Sequence, residues 1–117
     1  MPQSSRAKGN AFENHVIDFL EARGWYCYAS RGSRGLDITA IAPKDSPLPH
    51  LGIEAGTKNK RARGAFKKMR ESPQCPGMIL LVARKMLVKR RITILWHVEG
   101  VLRGMAFDAA LERARAA

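Results

Sequence analysis

The stretch LGIEAGTKNK, residues 51 to 60, sets a glutamate in a short apolar run and follows it two positions later with glycine. A carboxylate and a lysine spaced two apart on a strand lie on one face, because strand side chains alternate, and together they can hold a divalent cation and position a water. Here Glu54, Gly56 and Lys58 share that face, while Ile53, Ala55 and Thr57 share the other. The cation therefore stands one pleat beyond the expected place, roughly 6 to 7 Å farther along the strand. The flexible stem of Lys58 can fold back toward the vacated position. Alternatively, Lys58 only contacts phosphate.

Asp37 interrupts a second apolar run, LDITAIA at residues 36 to 42. Two carboxylates on neighbouring strands repel unless a positive group neutralises them. Magnesium suits such a pair, since it takes one or two carboxylates, keeps several waters and accepts substrate phosphate as a further ligand. Mn²⁺ is the alternative ion. Glu13, beside the apolar stripe of an amino-terminal helix, can supply a third ligand through water. Such a site activates water and stabilises charge as a phosphodiester breaks. Other chemistries find no support: His15, His50 and His97 are scattered without zinc-like spacing, and RGSRG at 31 to 35 lacks the spacing and ending of a phosphate loop. No small-molecule cofactor is expected.

These residues need elements to hold them. Phe12, Val16, Phe19 and Leu20 recur at helical spacing between Asn10 and Arg23, and Gly24 stands where a helix would close. WYCYAS reads as a strand, RGSRG as a basic loop, and residues 36 to 42 and 51 to 58 as two strands of a hairpin joined by a proline-rich connection. Ala62, Ala65, Phe66 and Met69 mark a helix whose remaining circumference is basic. MILLVA reads as a central strand covered on both faces, ITILWHV as a further strand, and RKMLVKRR as the basic segment between them. A final short helix starts near Phe107. The order is αβββαββα, an α/β fold in one domain over 1–117.

The 117 residues, 45% hydrophobic, suffice for one core and not two. Lys and Arg number 21 against 10 acidic residues, a formal net charge of +11 that points to nucleic acid as partner. Cys27 and Cys75 are too few for a disulfide framework and read as core thiols, so a reducing compartment is expected, and with the basic charge a cytoplasmic, DNA-associated chain. No apolar run reaches membrane-spanning length.

KGNAFE, GSRGLD and IEAGTK occur in an order and spacing that resembles the PD-(D/E)XK nucleases, and within them the archaeal-type Holliday junction resolvases, which also occur in phages. The resemblance runs from about Arg6 to Val98. It implies a restriction-endonuclease-like mixed β-sheet flanked by helices, with Glu13, Asp37 and Glu54 as metal carboxylates and Ser33 acting on the loop near the scissile strand. Where that family has lysine, this chain has Gly56, which leaves Lys58 to orient or deprotonate the water. The resemblance further implies a homodimer that binds a four-way DNA junction and introduces paired, Mg²⁺-dependent nicks. Arg6, Lys8, Arg31 and Arg34 would then hold the cleaved strand, and Lys60, Arg61 and Arg63 other junction arms, through phosphates. Lys67 and Lys68 read equally well as a solvated helix face. A less selective nuclease of the same fold and a catalytically impaired junction binder are the rival expectations. Trp25, Tyr26 and Tyr28 lack the spacing of an RNA-stacking sheet and read as core or dimer contacts.

Overall fold

The computed structural model describes residues 11–29, 37–56, 62–71, 77–101 and 103–116. The order along the chain is α1 (Ala11–Glu21), β1 (Tyr26–Ala29), β2 (Ile38–Ile41), β3 (Leu51–Gly56), α2 (Ala62–Arg70), β4 (Ile79–Val88), β5 (Arg91–Val98) and α3 (Phe107–Ala116). This is the order αβββαββα expected from the sequence. The five strands form one mixed sheet in sequential order, antiparallel throughout except for the parallel β3–β4 pair. A parallel pair needs a crossover, and α2 supplies it.

Strand alternation divides the core between the two faces. Cys27, Ile38, Ala40, Ile53, Ala55, Leu81, Ala83 and Trp96 pack beneath α1 and α3, meeting Val16, Ile17, Leu20, Phe107 and Ala110. On the opposite face, Ala65, Phe66 and Met69 of α2 cover Val82, with Leu80 and Met78 at the margin. β4 is thus covered on both sides, as its unbroken apolar run predicts.

α1 stops where its sequence says it should. Gly24 has φ +90, its N–H donates to the Glu21 carbonyl, and the Trp25 N–H donates to the Leu20 carbonyl. This pair of bonds is the Schellman closure, which satisfies carbonyls that the helix end leaves open and favours glycine at the left-handed position. The turn then delivers Trp25 into the core, where its ring meets Phe107 edge-on at 6.0 Å. No described helix is long and apolar enough to cross a membrane.

Candidate active site

Ile53 and Ala55 are drawn into the core under α1, so alternation turns Glu54 to the face under α2. There it is only 4% exposed, on a strand whose same-face neighbours, Gly52 and Gly56, carry no side chains. Lys68, reaching down from α2, brings its Nζ to 3.9 Å from Glu54 Oε1.

Asp37 stands immediately before β2 and grips β3 on either side of Glu54. Its N–H donates to the Ile53 carbonyl at 2.9 Å, and its Oδ2 accepts the Ala55 N–H at 2.8 Å. A carboxylate that receives a backbone amide is fixed in orientation by a charge-assisted bond. The two acids on consecutive strands are therefore held beside one another, as the sequence predicts. Glu13 is half-buried on α1, which packs against the other face of the sheet. Among the described residues no three His, Cys, Asp or Glu side chains converge to hold a metal ion, so Glu13 is not brought to the Asp37–Glu54 pair. Ser33, Lys58, Arg6, Lys8, Arg31, Arg34, Lys60 and Arg61 lie outside the described residues. Arg63 falls in the first turn of α2.

Three groups near this face were given no part in the acid site by the sequence. Lys68 is the first. Arg84 is the second: it pairs with Gly56 in the parallel β3–β4 register, beside the strand position left without a side chain, and its Nε is buried without a hydrogen-bond partner among the described residues. The third is His97, joined to Glu54 through Val82 in one cross-sheet row. Both its ring nitrogens are buried without a hydrogen-bond partner among the described residues. Burial, and then the positive charge of Arg84, hold its pKa below the usual histidine value. His50 is instead a loop brace, its Nδ1 accepting the Ala42 N–H, and His15 stacks on Phe12.

The aromatic cluster divides. Trp25 is core, but Tyr26 and Tyr28 are exposed on edge strand β1, their rings edge to face at 4.8 Å, because Cys27 between them takes the inward position. They are not core residues. A cleft of about 310 Å³ between α1, α3 and β5, lined by Phe19, Trp96 and Phe107, lies on the face away from Glu54, and neither acid borders it.

Compared with known protein families and with curated proteins, the sequence matches none at a significant level. The chemistry of this face rests on its own residues.

Proposed function

We propose that the chain is a Mg²⁺-dependent, structure-selective endodeoxyribonuclease that acts as a homodimer on four-way DNA junctions. The observation that carries this is Asp37 bound to the Ala55 amide beside the buried Glu54, under a basic helix. Two hard oxygen donors, with a phosphate-bearing substrate to complete the shell, fit Mg²⁺ or Mn²⁺. Asp37 and Glu54 would hold the ion, which when bound supplies Lewis-acid stabilisation of the phosphodiester charge.

The chain's own groups do the rest. The Ala55 amide keeps Asp37 in place, and Gly56, the part-exposed position beside the buried Glu54, would let a phosphate approach the strand end. Lys68 or Lys58 supplies the cation that orients the attacking water. Arg84, beside Gly56, adds a fixed positive charge at the same end of the sheet. Glu13 would enter only through water, and Ser33 near the scissile strand.

The test is an end-labelled four-way junction and an equal amount of linear duplex, incubated with Mg²⁺ or EDTA. Paired nicks on the junction alone, requiring Mg²⁺ and falling at least ~10²-fold with Asp37→Asn or Glu54→Gln, are the expected result. Equal cutting of duplex would make the protein a less selective nuclease. Tight junction binding without product would make it a binder on a nuclease fold, and cleavage indifferent to Glu54→Gln would remove the site altogether.

A further inference from the structure

β4 outruns its neighbour. Among the described residues the last β3–β4 pairing is Gly56 with Arg84, and from Lys85 to Val88 the strand pairs with Arg91 to Ile94 of β5. Four residues at strand rise carry this arm about 13 Å beyond the Gly56–Arg84 pairing. Because β4 runs parallel to β3 and β2 antiparallel to it, the arm leaves from the end of the sheet that bears Asp37 and Glu54.

The arm's composition is opposed to that of a solvated hairpin. Leu87 is 64% and Val88 46% exposed, and Met86 and Ile92 are also open to solvent. Leu87 pairs with Ile92 on one face of the ribbon, and Met86 and Val88 lie on the other opposite Thr93 and Arg91, so both faces carry exposed apolar side chains. Around them stand Lys89, Arg90 and Arg91, and between Glu71 and Glu99 the sequence contains no acidic residue. The turn is Lys89-Arg90, with φ 50 and 67. Two-residue hairpin turns need this left-handed backbone and favour Asn-Gly, so placing two long cations there is unfavourable locally.

We infer that this arm is a DNA-engaging wedge: its tip enters branched DNA between the base pairs at the crossover, Leu87 on one face and Val88 on the other, while Lys89, Arg90 and Arg91 hold the flanking phosphates. The inference rests on the nuclease reading, since it assigns the arm to the same substrate. Apolar side chains inserted between base steps, flanked by cations on phosphate, are a general means of opening a helix. A crossover, where stacking is already broken, lowers the cost of that entry. A second copy of the chain is the poorer occupant, because a two-fold contact would bring like charges of the two arms together without counter-charge.

The experiment uses a four-way junction carrying 2-aminopurine at the crossover, with the full chain in EDTA so that binding is read without cleavage. The wild type should raise the fluorescence. Leu87→Thr/Val88→Thr, which keeps strand propensity, should abolish the rise while affinity changes by no more than about threefold. Lys89→Glu/Arg90→Glu should instead weaken binding by about tenfold or more. Melting temperatures of both variants check that the fold persists. A rise that survives Leu87→Thr/Val88→Thr overturns the wedge, as does a variant that turns a dimer into a monomer in sedimentation without DNA. Loss of all junction binding by the wild type would overturn the nuclease reading too; Mg²⁺-dependent cleavage with a variant-insensitive signal overturns the wedge alone.

Discussion

Lys68 approaches Glu54 from the helix above the strand, whereas Lys58 follows the acid along the chain. At 3.9 Å, with the lysine 64% exposed, the contact is too long and too solvated to serve stability, and pairs of this kind contribute about 0–1 kcal/mol. It does keep an ammonium at the mouth of the carboxylate site. A lysine that positions water needs proximity and a free stem more than a tight ion pair. We therefore expect Lys68→Ala to lower single-turnover cleavage of a junction by about 10²-fold while leaving its dissociation constant nearly unchanged. Lys58→Ala, measured in the same assay, decides between the two. A loss confined to Lys58→Ala returns the role to the strand, and a fall in binding with normal turnover of bound substrate reduces either lysine to a phosphate contact.

At the scale of elements, what the sequence discloses is whatever depends on local pattern. The closure of α1 at Gly24, the α2 stripe and the pairing of β2 with β3 all follow from spacing and turn residues. The β4–β5 hairpin does not, because Lys89-Arg90 carries no glycine or asparagine signal and MLV between charges resembles a connector; RKMLVKRR is in fact the outer part of both strands and their turn. Asp37 and Glu54 are legible as residue types, but the bond from Ala55 to Asp37 depends on how two strands meet. His97 is hidden for a similar reason. Residues 104 and 105 fold back over β5, with reciprocal bonds between Trp96 and Met105 at 2.8 Å, and a Cβ on Gly104 would lie 3.1 Å from the His97 ring. The imidazole is thereby buried and its pKa lowered by burial and by Arg84. An unfolded chain protonates this histidine near pH 6.5, before the folded one does, so its contribution to stability is complete above that pH and declines below it. The slope is at most about 1.4 kcal/mol per pH unit. Melting of the wild type between pH 7 and 5 should fall more steeply than that of His97→Leu. Glu99, held lower by its hydrogen bonds from Arg70, is present in both proteins, so its contribution cancels in the comparison. Parallel melting curves for the two proteins would show that the buried ring does not resist protonation.

For the whole molecule the question is where an excess of +11 sits on a body of 13.2 Å radius of gyration. It is not spread evenly. α1 carries Glu13, Asp18 and Glu21 with no lysine or arginine, and α3 sets Asp108 and Glu112 against Arg113 and Arg115. α2 carries Arg63, Lys67, Lys68 and Arg70 with no acid, and the β4–β5 arm is basic as well. The helices on one face of the sheet are therefore net acidic, while the other face, with the arm and the acid-bearing end between them, holds a field that repels itself and attracts a polyanion. Under the proposed function, DNA approaching along that field would reach Asp37 and Glu54 under α2 and meet the arm. Phosphate contacts release counterions, so the logarithm of the binding constant should fall linearly with the logarithm of salt, with a slope of about −5 or steeper if six or more phosphates are engaged. Lys89→Ala/Arg90→Ala should make that slope shallower by about 2, since each phosphate contact contributes roughly 0.9. Arg113→Ala/Arg115→Ala removes the same charge from the opposite face and should leave the slope unchanged. Equal changes in the two variants would mean that DNA responds to net charge alone, and the asymmetry of the faces would then carry no orientation for the substrate.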